Sequence, residues 1–185
     1  STPYSIENAK FLHEQIDIHM FKTSSADLVD LQLHDYIAAT HKPVIISVGM
    51  GSMGEIEDVL NIYEDNNSSN IVLLHCVSNY PCKSDSINME VMNTLRSAFQ
   101  LPVGFSDHSV GSEASILSVA YKAKVIEKHF TTDQSLNGPD HLASANPTEF
   151  SALVTSVRKT EKMIGSPVKR IQQEELQMAA ISRKS

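Results

Sequence analysis

The sequence predicts an α/β chain of repeated strand–helix units, and three observations carry that prediction. Five short apolar, β-rich runs recur about every 25 residues, the length of one strand, one helix and two loops. The runs are nearly continuous in apolar character, as expected of parallel strands covered on both faces. Polar residues gather at their C-terminal ends: Lys22 to Ser25, Ser47, His75, Ser106 to His108 and Glu127 to His129.

Taken in order, a helix is predicted near 5–15, then a strand at IHMF (18–21) and a helix near 27–39. PVIISVG at 43–49 is the second strand. Ser52 and Glu55 form a capping box, and Ile56, Val59, Leu60 and Tyr63 share one face of the helix that follows. NIVLLHC at 70–76 is the third strand, with a helix predicted from Ser86 through Ile87, Met92, Leu95 and Phe99. LPVGFS at 101–106 leads to Ser112 and Ser115 ahead of Ile116, Leu117, Ala120 and Tyr121, and KVIEKHF at 124–130 closes the series. Asn146, Pro147 and Glu149 combine an N-cap, proline at the first helical position and a capping glutamate. Phe150, Leu153, Val157 and Ile164 follow, and Gly165 with Pro167 ends that helix.

Unbroken strand–helix succession leaves a closed barrel or an open doubly wound sheet. GMGSMG at 49–54 lacks the spacing of a nucleotide-binding loop. Polar residues at several strand ends, instead of one switch point, favour the barrel. The expected fold is therefore an α/β, (β/α)8 TIM barrel represented by roughly strands four to eight. Residues 1–165 would be the C-terminal part of the catalytic barrel, and 166–185 a linker. The chain opens STPYS and ends SRKS, which suggests a piece of something longer.

Bulk properties narrow the function. The 185 residues carry a net charge of -7, which argues against a nucleic-acid partner. No apolar run approaches the roughly 20 residues needed to cross a bilayer. Two cysteines, Cys76 and Cys82, make no disulfide framework, and a cytoplasmic setting is the simpler expectation.

His108 and His129 lie one strand–helix unit apart, so in a barrel they open into the same mouth. Such a pair can hold a divalent cation, with water and substrate oxygens completing the shell. The alternative is two strand-end histidines bonded to loop carbonyls. Asp107 and Glu127 have the chemistry of ligands, orienting groups or substrate contacts. Lys22 either snorkels outward or meets an anion in the mouth. Thr2, Ser25 and Ser106 are hydroxyl donors at successive loop mouths. Asp140 sits in the turn-like NGPDH, Cys76 reads as core, and His13, His19, His34 and His41 read as surface or packing residues.

Read in order, STP, FKTSSAD, IISVGMGSMGEI, LLHCVSNYP, GFSDHSVG, IEKHFTTD and GPDHLAS resemble the catalytic barrel of the sialic acid synthase family over nearly the whole chain. SDH followed by EKHFT at this spacing is the most specific part. The resemblance implies condensation of phosphoenolpyruvate with an open-chain N-acylhexosamine, such as N-acetylmannosamine, to a nine-carbon keto acid plus phosphate. By the same resemblance His108 and His129 match the histidines that hold Mn²⁺ or Mg²⁺. Glu127 matches a proton-handling glutamate beside the sugar aldehyde. Lys22, Ser25, Thr2 and Ser106 match the grip on phosphoenolpyruvate, and Tyr80 and Asp140 match sugar contacts. Ser78 takes a substrate-binding position that is asparagine in some members.

Two departures, YPCK after the tyrosine and SVG in place of Ser-Thr-Gly, remove no proposed ligand. The resemblance further implies a homodimer in the full-length protein and an antifreeze-like domain beyond the linker. It also implies that this segment alone is inactive, because its first three barrel strands would be missing. Competing expectations are a barrel synthase of 3-deoxy-keto acids and a non-catalytic fragment that retains ligand binding.

Overall fold

A computed structural model describes residues 1–184. Five strands, β1 (Phe21–Thr23), β2 (Val44–Ser47), β3 (Ile71–Cys76), β4 (Val103–Asp107) and β5 (Ile126–Lys128), form one sheet in that order. All four pairings are parallel, with Lys22 beside Ile45, Ser47 beside Leu74, Cys76 beside Ser106 and Ser106 beside Glu127. Sequential parallel order with right-handed crossovers puts the connecting helices on one face of the sheet.

Those helices are α1 (Ile6–Lys10), which runs on into a π-helical turn at Phe11–Gln15, then α2 (Leu31–Ala39), α3 (Met53–Asp65), α4 (Val91–Phe99), α5 (Glu113–Ala120) and α6 (Pro147–Ile164). A short α7 (Leu176–Ser182) lies in the exposed C-terminal segment. The capping boxes at Ser52/Glu55 and Asn146/Glu149 are both formed, with Pro147 at the start of α6. No helix among the described residues is long and apolar enough to cross a membrane.

Strand side chains alternate between the two faces. Phe21, Val44, Ile46, Leu73, Val103 and Phe105 enter the core with Leu33, Ile37, Val59, Tyr63, Met92 and Leu95 of the helices. Lys22, Ile45, Val72, Leu74, Gly104 and Ser106 fall on the opposite face. There Gly104 is required, because a Cβ at that position would strike the Val125 carbonyl oxygen and lie 2.6 Å from Leu74 Cδ2.

Two predicted boundaries are corrected. IHMF is not the first strand: only its last residue belongs to β1, which continues through Lys22 and Thr23. The polar Lys22 fits because it points away from the core. The helix predicted from Ser86 begins at Val91, after a 3-10 turn at Ser84–Ser86. Asn88 has φ 47, a left-handed conformation that ends the turn before α4 can start.

Candidate active site

The C-terminal ends of all five strands open into a cavity of about 670 Å³ on the face away from the helices. It is lined by Thr2, Lys22, Ser25, Ser78, Tyr80, Ser106, His108, Glu127, His129 and Asp140, so of the candidates expected from the sequence these ten converge here and Asp107 does not. Thr2 reaches it because Ser1 runs along β1, accepting from the Lys22 amide at 2.9 Å.

Lys22 settles the choice between snorkelling and pointing inward. Its side chain is 15% exposed, donates to the Thr23 carbonyl at 3.0 Å and lies 3.5 Å from Glu127 Oε2. The other oxygen of Glu127 accepts from Ser106 Oγ at 2.7 Å. Glu127 thus links a cation on β1 to a hydroxyl on β4, and Ser106 Oγ is also 3.3 Å from His108 Nε2.

A second wall surrounds Gly49. Its amide donates to Ser25 Oγ at 3.0 Å, and Ser25 Oγ lies 3.1 Å from Cys76 Sγ. A Cβ on Gly49 would come within 2.6 Å of Ser78 Oγ, 2.7 Å of Cys76 Sγ and 2.8 Å of Ser25 Oγ. Ser78 Oγ is buried without a hydrogen-bond partner, a costly state unless a ligand oxygen satisfies it.

The two imidazoles face each other with ring centroids 5.3 Å apart, and the Tyr80 ring packs on both, at 4.2 Å from His108 and 5.3 Å from His129. His108 Nδ1 lies 2.8 Å from the Val77 carbonyl, which requires the proton on Nδ1 and leaves Nε2 with a free lone pair. Burial pushes the His108 pKa down, and the neighbouring His129 adds to that, which favours the neutral ring that a metal ligand needs. His129 Nδ1 is 3.8 Å from Asp140 Oδ2. Burial also raises the Tyr80 pKa, with further upward pushes from Cys76, Asp140 and Glu127, which keeps the phenol a hydrogen-bond donor.

Among the described residues no group of three or more histidine, cysteine, aspartate or glutamate side chains is arranged around a metal position. The pair His108 and His129 nonetheless fits one oxygen-seeking cation whose remaining positions go to water and substrate. Asp107 does not contribute. Its carboxylate turns to the helix side of the sheet, where Ser109 and Ser115 hold it.

The cavity is also lined by residues to which sequence reasoning assigned no site role, among them Ser47, Met50, Cys76 and Lys128. Ser47 and Cys76 face the cavity from β2 and β3, and Cys76 is wall as well as buried. Counting alternate residues from Ile46 and Leu73 places both on the non-core face, so the signal was present. Met50, 72% exposed at the mouth, has no such signal. His34 is confirmed as packing, buried against Tyr63.

A match to the NeuB family covers residues 1–169. The chain is 40% identical to an N,N'-diacetyllegionaminic acid synthase of Campylobacter jejuni, over 100% of this chain and 56% of that protein. It superposes on the crystal structure of a Leptospira borgpetersenii N-acetylneuraminic acid synthetase with TM-score 0.88 and 35% identity, covering 100% of this chain and 65% of that one. A truncated 3-deoxy-D-arabino-heptulosonate 7-phosphate synthase of Thermotoga maritima shares the fold, with TM-score 0.77 and 16% identity over 91% of this chain and 67% of that one. The chain spans about half the length of the curated relatives it matches.

Proposed function

The chain belongs to the NeuB family, and from that premise we propose that it carries the catalytic face of a synthase joining phosphoenolpyruvate to an open-chain N-acylhexosamine. The products are a nine-carbon nonulosonic acid and phosphate. The observation that carries this reading is the convergence of Lys22, a hydroxyl-lined wall, Glu127 and two imidazoles on one cavity. In the same proposal the five strands are strands four to eight of an eight-stranded barrel, supported by their sequential parallel order and one-sided helices.

The anion is assigned to the end of the cavity between β1 and β3. Lys22 supplies a full positive charge on that wall, and Ser25, Ser47, Ser78 and Ser106 supply hydroxyl donors for carboxylate and phosphate oxygens. The unpartnered Ser78 Oγ gains a bond when ligand enters. The sugar is assigned to the Tyr80 and Asp140 side, where a ring face and a half-exposed carboxylate suit hydroxyl-bearing carbons.

In the reaction, C3 of phosphoenolpyruvate forms a bond to the aldehyde carbon, and the aldehyde oxygen takes a proton. Water adds at C2, and the C2–O bond to phosphate breaks. Mn²⁺ or Mg²⁺ held by His108 and His129 would supply Lewis-acid stabilisation of negative charge. Glu127, between Lys22 and Ser106 and beside the imidazoles, is placed to hold and deliver the proton at the aldehyde oxygen. His108 donates to Val77, which fixes its ring.

Incubating the intact protein with Mn²⁺, phosphoenolpyruvate and N-acetylmannosamine tests the reading by phosphate release and by NMR of the sugar product. A nonulosonate supports it. Product only from aldose phosphates would replace it with a 3-deoxy-keto acid synthase, and ligand binding without product would make the protein non-catalytic. Assembly as a homodimer belongs to the same proposal and is read by light scattering.

A further inference from the structure

The motifs Ser106-Asp107-His108 and Glu127-Lys128-His129 end adjacent strands in matching register. In each, the outer two residues face the cavity, as strand alternation requires. Lys128 also borders the cavity, but the charged ends of both middle side chains turn the other way, towards α5. There they meet: Lys128 Nζ lies 3.2 Å from Asp107 Oδ2, with the side chains 2% and 0% exposed.

This pair is saturated with further bonds. Asp107 Oδ1 accepts from the Ser109 amide at 2.8 Å and from Ser109 Oγ at 2.6 Å, and Oδ2 accepts from Ser115 Oγ at 2.5 Å. Lys128 Nζ donates to the Ser109 carbonyl. One ion pair thereby joins the end of β4, the end of β5, the turn after His108 and the first turn of α5.

We propose that Asp107 and Lys128 are positioning residues, a buried clamp behind the site that sets the separation of His108 and His129 and holds Ser106 against Glu127. The inference rests on the functional reading above. The physical reason for a charged clamp is geometric. Burying two charges gains little stability over apolar packing, because desolvation offsets their attraction. What they supply is direction: a carboxylate with four donors and an ammonium between two acceptors allow one relative placement of two strand ends. Both clamp residues are covalently next to an imidazole, so a slip between β4 and β5 would move the two rings apart.

The test uses the intact protein, with Mn²⁺ affinity by calorimetry as a readout separate from turnover. Asp107→Asn and Lys128→Met should each weaken Mn²⁺ binding by about tenfold or more, the usual result of losing an outer support of a metal ligand. Turnover should fall and be partly restored by excess Mn²⁺, while affinity for phosphoenolpyruvate, which the clamp reaches only through Ser106, falls much less than Mn²⁺ affinity. The double exchange Asp107→Leu with Lys128→Met should regain thermal stability without regaining Mn²⁺ affinity. Wild-type Mn²⁺ affinity in the single variants, or full recovery in the double, would overturn the clamp. Should those variants not fold, Ser115→Ala decides: it leaves both charges and should weaken Mn²⁺ binding by about threefold, and no change there overturns the proposal. A wild-type protein that binds no Mn²⁺ and makes no product would overturn the functional reading and this inference with it.

Discussion

The two faces of this sheet are written in the same five strands and obey different rules. On the helix side, Phe21, Ile46, Leu73, Val103 and Phe105 are at most 2% exposed and belong to one apolar cluster with residues of the helices. On the other side the lower positions are apolar, with Leu74 packed beside Gly104, and the upper positions are Lys22, Ser47, Cys76, Ser106 and Glu127. Volume decides most of what the first face accepts, the Asp107–Lys128 pair at its upper edge being the exception, whereas charge and hydrogen bonding decide it for the second. The difference teaches that stability and chemistry can be separated residue by residue along one strand, since neighbours in sequence serve opposite faces.

The largest expected effect breaks the chemical face and spares the other. His108→Ala or His129→Ala should lower condensation by about a thousandfold or more, the scale of losing a group that acts directly on the reacting atoms. The thermal midpoint should stay near wild type, because neither ring belongs to the helix-side core. Calorimetry with Mn²⁺ reads the binding loss directly, and wild-type affinity in both variants would remove the histidines from the metal assignment.

The reverse experiment is Phe105→Ala. Phe105 is 2% exposed, on β4 one residue before Ser106. Removing the ring should destabilise by about 3–5 kcal/mol, from lost burial plus the cavity left behind. Urea unfolding measures it. Folded variant, once purified at low temperature, should keep its affinity for phosphoenolpyruvate. A variant of normal stability that has lost that affinity would contradict the division of the two faces.

A titratable group inside the helix layer gives the next test. His34 is fully buried, with Nδ1 3.1 Å from Tyr63 Oη and no partner for Nε2. Burial pushes its pKa down to about 4, against smaller upward pulls from Asp27 and Asp30. Between pH 6.5 and about 4 the unfolded chain takes up a proton here that the folded chain refuses, so this contribution is intact above pH 6.5 and is lost as pH falls towards 4. The loss is on the order of 3 kcal/mol. Urea unfolding from pH 7 to 4 should show a shallower acid decline in His34→Phe than in wild type. Equal slopes would mean that His34 does not remain neutral on folding.

How much of this was legible in the sequence also divides by face. All five strands and the six main helices were readable, because apolar runs, capping residues and the Gly165 stop are local signals. The edges erred where a polar residue extends a strand, as Lys22 does, or where an apolar residue, such as Ile87, precedes the helix in a turn. The candidate site was legible mainly through resemblance. Spacing alone left His108, His129 and Lys22 with two readings each, since it does not say which way a side chain turns. Asp107 and Lys128 were unreadable as a pair: their meeting depends on the β4–β5 register, which is a property of the sheet.

The smallest expected effect tests where the chemical face is itself divided. Lys22→Met keeps most of the stem and removes the charge. If Lys22 acts as the anion contact, affinity for phosphoenolpyruvate should fall by about 10- to 100-fold, the range for losing one charge-assisted bond. Affinity for the sugar, assigned to the Tyr80 and Asp140 side, should change much less. The two outcomes separate because Lys22 has a second neighbour, Glu127 at 3.5 Å. If its main role were to hold Glu127 in place, the loss would reach the aldehyde end of the cavity and both substrates would suffer together. Calorimetric titration with each ligand alone distinguishes these cases before any turnover is measured. Stability should barely respond, because a partly exposed ion pair contributes about 0–1 kcal/mol. A large drop in unfolding free energy would instead move Lys22 from the chemistry of this face to its architecture.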